Sequence, residues 1–351
     1  MNETKSARYH RLKRRAGFAA FACTAILLAA MLWARPSLPV AGYVLLLAVL
    51  HGLVTLPAAF YGSFVLEHRY ELSSEPATAW LRDHAKAFGL GSVLAVVAAQ
   101  IIYGLMAWSP AWWWLAAAIA GTAVTIVLAK LTPVVLLPLF YKFTPLDRPA
   151  LAARLTELSA RAGVPALGVF EWGLGAKTRR ANAALVGSGR TRRILLSDTL
   201  LDQYSEDEIE VILAHELAHH AHRDIPKGIA LEFGLLLAAL FAASTALEAL
   251  WRPLGLHGPA DPAGLPLLLL AAGAVTMAAT PMVNAFSRFN ERRADDFAIA
   301  LTRRREAFVS AMRRLAAQNL VEESPSRTIV WLFHTHPPIE ERIEQARSVG
   351  P

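Results

Sequence analysis

Only one cysteine, Cys23, occurs in the 351 residues. No internal disulfide can staple the fold, and nothing requires an oxidising compartment. Charge is also scarce. Asp, Glu, Lys and Arg make up 18% of the chain and hydrophobic residues 55%, whereas soluble domains carry about 25% charged residues. So little polar side chain cannot cover a water-facing surface, which excludes an ordinary soluble protein and a disordered one. Internal repeats and low-complexity tracts are missing too, which sets aside solenoids and collagen-like fibres. A net charge of +7 raises the question of nucleic acid, and the positions of the charges answer it.

What the chain has instead is long apolar runs. About 20 residues at 1.5 Å each cross the hydrocarbon core of a bilayer, and about six runs qualify: 16–34, 41–65, 87–108, 111–131, 227–250 and 264–286. The first is longer than a signal-peptide core and is followed at once by a second, so it is expected to be retained. Basic residues cluster in alternate connectors. Lys5, Arg8, Arg11, Lys13, Arg14 and Arg15 precede the first run, Arg69, Arg82 and Lys86 follow the second, and the segment 141–226 is rich in Arg. The intervening connectors hold only Arg35 and Arg252, with Trp108, Trp112, Trp113, Trp114 and Trp251 as a predicted aromatic belt. By the positive-inside rule both termini are cytoplasmic. The positive excess is then accounted for by orientation and anionic lipid, with no nucleic-acid partner.

The predicted architecture is mainly α: a polytopic membrane protein with about six transmembrane helices and a small cytoplasmic α/β segment. It divides into a basic arm (1–15), four spans (16–141), an α/β segment (142–226), two spans (227–286) and a cytoplasmic helical segment (287–351). Within 142–226, Leu151, Leu155 and Leu158 have helical spacing, and short strands are expected at Leu167 to Trp172, Ala183 to Val186 and Ile194 to Ser197.

The decisive stretch is SEDEIEVILAHELAHHAHRD, Ser205 to Asp224. Ser205 with Glu208 is a capping box, acidic residues crowd the first turn, and Ile209, Ile212 and Leu213 continue at helical spacing. His215 and His219, four apart on that helix, can reach one cation together. Such an HExxH pair suits zinc, whose acidity brings a water into the range of a neighbouring base, here Glu216. The bland reading is a solvated histidine cluster, since His220 and His222 are close by. A third ligand is sought after the last span, where Glu291 would complete a His, His, Glu shell. Asp295, one turn on, would accept a hydrogen bond from a ligand imidazole; its bland counterpart is a salt-laced face shared with Arg288, Arg292 and Arg293. Near the C-terminus, His336 precedes Pro337 and Pro338, with Arg342 following. A rigid proline pair could present an imidazolium or guanidinium to a developing oxyanion, or simply begin a helix in a polar tail.

These residues resemble the integral-membrane zinc metalloendopeptidases of the type I CAAX prenyl protease kind. The match comprises HELAH at 215–219, the NERRAD block with Glu291 and Asp295, and HPP at His336 with Arg342. It also includes PLFYKFTPL at 138–146, NAALVG from Asn182 and ILLSDTLL at 194–201. The resemblance implies one zinc ion held by His215, His219 and Glu291, with Glu216 as base and Asp295 supporting a ligand histidine. It implies that Asn182 and Ala183 hold an extended peptide substrate at a strand edge, with His336 and Arg342 near the reaction centre. It further implies a water-filled chamber among the helices with zinc near the cytoplasmic side, while the shorter architecture and the Ala- and Arg-rich composition lead us to expect a bacterial inner membrane. Two departures stand out: Ala184 where an aromatic residue is usual, and six spans where eukaryotic members have seven. Polar Gln100, Glu232 and Asn284 within the spans are expected to face protein or water. Competing functions are a membrane quality-control metalloprotease for misfolded proteins and, in another class, a metal-binding transporter without hydrolysis.

Overall fold

The computed structural model describes residues 4–187, 189–322 and 324–348. Helix α1 (Lys5–Ala34) begins at Thr4, whose hydroxyl accepts the Ala7 N–H, and stops where Arg35 turns left-handed at φ 45°. The basic residues 5–15 are therefore the first turns of α1 and continuous with its apolar part. Helix α2 (Val40–Phe60) contains Pro57 and continues through a π turn at Tyr61–Val65 into α3 (Leu66–Arg69). Proline removes one ladder hydrogen bond, and the wider turn beside it absorbs the defect. After α4 (Ala77–Trp108), α5 (Trp113–Leu131) ends in a second π turn, at Thr132–Leu136, beside Pro133.

The soluble elements follow: β1 (Phe143–Pro145), α6 (Pro149–Arg161), β2 (Val169–Trp172), β3 (Ala183–Val186), β4 (Arg193–Ser197), α7 (Asp198–Gln203) and α8 (Glu206–Ala221). Helices α9 (Asp224–Leu250) and α10 (Leu265–Thr302) return through the membrane, and α11 (Arg305–Gln318), α12 (Arg327–Phe333) and α13 (Ile339–Ser348) follow. The expected strands appear within two residues of their predicted starts. Strand β1, three residues ending in proline, carries no alternating pattern that would announce it.

Among the described residues, six helical stretches are long and apolar enough to cross a bilayer: Lys5–Ala34, Val40–Arg69, Ala77–Trp108, Trp113–Leu139, Asp224–Leu250 and Pro262–Thr302. Each overlaps one predicted run. They close a ring in which α1 packs on α2, α2 on α4, α4 on α5, α5 on α9, α9 on α10 and α10 on α1. One end of the ring is filled by Leu28, Met31, Tyr43, Leu47, Tyr103, Trp113, Leu247 and Leu265. Trp113 is only 3% exposed. It belongs to that plug instead of the predicted aromatic belt, because the first turn of α5 directs it inwards. Trp33, Trp108 and Trp112 are exposed.

The 30-residue α1 is about 45 Å long, so it overruns a hydrocarbon core of about 30 Å. Several turns project at the opposite end, where the soluble core sits. There the sheet has the order β1-β2-β4-β3, with β2 parallel to β4 and the outer pairs antiparallel. Strand β3 is an edge, its free side turned to α8. Leu151, Leu155 and Leu158 of α6 pack with Ile194 and Leu196 of β4 and with Phe308 of α11 against α8. Burying each such side chain contributes about 1.5–3 kcal/mol. Helix α8 is consequently buried on most of its surface, and Ile209, Val211, Leu213, Ala214, Leu217 and Ala218 are all fully buried.

Candidate metal centre

The capping box forms: Ser205 Oγ accepts the Glu208 N–H and Glu208 Oε2 accepts the Ser205 N–H. With its start pinned and its apolar faces buried, α8 holds His215 and His219 one turn apart, ring centroids separated by 5.0 Å. Each imidazole is fixed from behind by a carboxylate. His215 Nδ1 lies 2.8 Å from Asp295 Oδ1, and Asp295 is itself gripped by Arg342, Nε to Oδ2 at 2.8 Å and Nη2 to Oδ1 at 2.6 Å. His219 Nδ1 lies 3.1 Å from Asp224 Oδ2, and Lys227 Nζ donates to Asp224 Oδ1 at 3.1 Å. Both Nδ1 atoms are donors in these pairs, so in the neutral imidazoles both Nε2 lone pairs face forward.

They face Glu291. That residue arrives on α10, which runs unbroken out of the last span. Its Oε2 lies 3.2 Å from His215 Nε2, and its Oε1 3.4 Å from His219 Nε2. The three ligand atoms lie within 4.8 Å of one another. Glu291 Oε2 is buried without an aligned hydrogen bond, although His336 Nδ1 also comes within 2.8 Å. Acceptor atoms aimed at a common point instead of at each other fit a cation of zinc type, which prefers imidazole nitrogen and carboxylate oxygen in small sets.

Without a metal, the group nearest the centre holds its proton hard. Burial opposes charge on His215, but the hydrogen bond to Asp295 and the adjacent Glu291 carboxylate outweigh it and push the imidazole up to about 9. Glu216 is half-buried next to His215. Burial pushes its carboxyl above the usual range, while the neighbouring His215, His219 and His336 pull the other way.

The remaining predicted residues fall on different sides. His336 is exposed and stands at the mouth of the site. Arg342, 8% exposed, is behind His215 with both carboxylate oxygens of Asp295, so its guanidinium is turned away from the open side. Asn182 and Ala183 open strand β3. The Asn182 carbonyl accepts the Ser197 N–H at 2.9 Å, which makes 182 and 184 the inward-bonded positions. The backbone of Ala183 and Leu185 then points to the free edge, and the Leu185 carbonyl there accepts from His220 Nε2 at 3.2 Å. Asn284 donates to the Leu332 carbonyl at 2.7 Å, a helix-to-helix bond. Glu232, which accepts from Thr125 at 3.0 Å, lines a cavity of about 400 Å³ between α9 and α10 that also reaches His219, Asp224, Asn290 and Glu291.

Sequence reasoning missed Asp224 and Lys227. Five residues after a ligand histidine is not a helical spacing. The pairing exists because Arg223 turns left-handed (φ 55°) and folds Asp224 back onto α8. A polar HRD at the end of a histidine helix was the available signal.

Comparison with known proteins gives the family. The pattern of Peptidase family M48 matches residues 145–349, well over half of the chain. The chain belongs to peptidase family M48. A second pattern, described as "CAAX prenyl protease N-terminal, five membrane helices", matches residues 18–142, which hold four spans in this M48 protein. The uncharacterized metalloprotease YhfN of Bacillus subtilis is 32% identical over 313 residues, covering 87% of this chain and 72% of that protein. A CAAX prenyl protease 1 homolog of Dictyostelium discoideum is 27% identical, covering 70% of this chain and 59% of its own length. A crystal structure of S. mikatae Ste24p superposes with a TM-score of 0.87 at 22% identity, covering 97% of this chain and 88% of that one, a likeness of fold. The M48 chain is thus an integral-membrane metallopeptidase of the CAAX prenyl protease type.

Proposed function

We propose that the protein is a zinc-dependent endopeptidase with one zinc ion per chain, cutting peptide bonds at the cytoplasmic face of a bacterial inner membrane. The observation that carries this reading is the convergence of His215 Nε2, His219 Nε2 and a buried Glu291 carboxylate on one point. Those three residues hold the metal. When bound, zinc supplies Lewis acidity towards a water and a carbonyl oxygen. Glu216 takes the proton of the attacking water and passes it to the leaving amine. His336, exposed at the mouth, donates to the oxygen that gains charge. Asp295 and Asp224 keep the two imidazoles in the Nδ1–H tautomer, and Arg342 fixes Asp295. The peptide adds as a strand to the free edge of β3, meeting the backbone of Ala183 and Leu185, with Asn182 at its entrance. The cytoplasmic assignment of the site rests on its lying at the same end as the basic connectors.

Glu216→Gln tests the reading. The variant is expected to keep one zinc per chain by elemental analysis while hydrolysis falls by at least about 100-fold; cleavage at the wild-type rate would remove Glu216 as the base. A prenylated CAAX peptide and an unfolded membrane protein, offered side by side, decide substrate class. Metal flux into liposomes without hydrolysis of either would favour transport instead.

A further inference from the structure

The cytoplasmic turns of α1 reach both flanks of the site. On one face, Tyr9 Oη donates to Glu67 Oε1 at 2.5 Å and Lys13 Nζ to the same oxygen at 2.6 Å. Arg180 Nη2 joins them, 2.9 Å from Glu67 Oε2 and 2.7 Å from Tyr9 Oη. Arg180 lies two residues before Asn182, and the Arg179 N–H is held by the Leu72 carbonyl at 2.9 Å. The entrance to β3 is thereby tied to α1 through the end of the second span. Tyr9 is 1% exposed and packs with Leu66, Tyr70 and Leu72, so this is a built contact.

On the adjacent face, one residue further along each time, His10 Nε2 donates to the Leu320 carbonyl at 2.9 Å. Arg14 makes a fork to Glu322, Nη1 to Oε2 at 2.7 Å and Nη2 to Oε1 at 3.2 Å. Glu322 is 6% exposed, and His334 Nε2 stands 3.6 Å from its Oε2. His334 is two residues before His336. Its carbonyl is held from α10 by Arg288 Nη1 at 2.6 Å. The segment presenting His336 is therefore bonded to the last span through Arg288 and lies against Glu322, the partner of Arg14 on α1.

From these two sets of contacts we infer that the cytoplasmic extension of α1 is a two-pronged strut: Arg14 with Glu322 positions His336, and Glu67 with Arg180 positions the substrate edge of β3. The inference rests on the proposed roles of His336 and β3. A basic arm needed only for membrane orientation would leave Lys13 and Arg14 facing lipid headgroups. Here both are committed to buried or half-buried carboxylates. Bidentate arginine pairs fix direction as well as distance, and displacing a reacting group by about 1 Å costs up to about 100-fold in rate. The prongs act on different steps, so they separate kinetically.

The test uses the full chain in nanodiscs, a quenched fluorescent peptide as probe, and hydrogen exchange as a readout independent of activity. Arg14→Ala and Glu322→Gln are expected to lower kcat about tenfold with KM and bound zinc unchanged, and to speed exchange in residues 327–338. Arg180→Ala and Glu67→Gln are expected to raise KM about tenfold with kcat unchanged, and to speed exchange in residues 182–186. The charge swap R14E/E322R restores kcat, which separates a lost pair from a damaged fold. Kinetic constants and exchange within twofold of wild type, or activity losses that track zinc content, would overturn the strut. If no variant and not the wild type cleaves the peptide while the exchange differences appear as stated, the peptidase reading fails and the strut stands.

Discussion

The two imidazoles of the HExxH turn sit on the same helix and are held in opposite ways. His215 is 8% exposed and leans on Asp295, which is 0% exposed and forked by Arg342. His219 leans on Asp224, whose other oxygen is held by the half-exposed Lys227 at the edge of a cavity of about 400 Å³. One histidine is backed by an ion chain that is buried throughout, a dry side, and the other by a buried carboxylate whose lysine partner is exposed. Buried charges are strongly coupled and costly to unpair, whereas exposed pairs contribute little. The difference separates a closed His215 side, which fixes the centre in place, from a His219 side that borders the cavity lined by Glu232 and Asn290.

The largest effect is expected from breaking the dry side. Arg342→Ala leaves the Asp295 carboxylate buried without its fork, a loss of about 3–5 kcal/mol of the kind seen when one partner of a buried pair is removed. Thermal unfolding of the purified protein should show a large drop in Tm, along with lost zinc. An unchanged Tm would mean the guanidinium is solvated in the folded protein.

Next comes the pair Asp295→Asn and Asp224→Asn. Carboxylates behind a ligand histidine typically contribute 10–100-fold to metal affinity. Zinc competition against a chelator should place Asp295→Asn near about 100-fold weaker and Asp224→Asn near about tenfold, with the second more sensitive to salt. Equal losses would erase the distinction between the two sides.

The smallest and most graded effect is on pH. Zinc binds neutral imidazole, and His215 without metal keeps its proton up to about pH 9. Below that value its proton must be displaced, so apparent zinc affinity should rise with pH by about tenfold per unit for one released proton and level off above it. Asp295→Asn lowers the His215 pKa and should move the plateau to lower pH; an affinity flat from pH 6 to 9 would contradict the assignment.

Much of this could be read from the chain. The six spans were legible because each is an uninterrupted apolar run, and α8 because its capping box and acidic first turn are local signals. Glu291 was legible because α10 continues straight out of the membrane, carrying NERRAD at helical spacing. The backing of His219 was hidden, since it depends on a single left-handed residue, Arg223, that no periodicity announces. The direction of Arg342 was hidden as well: position along the chain brings it near the centre, but only the packing of α13 on α10 decides that it grips Asp295. The basic residues at the start of α1 were counted correctly and only partly explained. A charge count reports orientation in a bilayer and cannot distinguish Lys13 and Arg14, which have specific carboxylate partners, from neighbours serving the lipid surface.

The central claim is that two segments just over seventy residues apart supply one metal-binding point. Anomalous X-ray scattering at the zinc edge tests it most directly. The account predicts a single strong peak bounded by His215 Nε2, His219 Nε2 and the Glu291 carboxylate, and its loss in Glu291→Ala. A peak elsewhere, or density showing Glu291 turned away from both imidazoles, would contradict it.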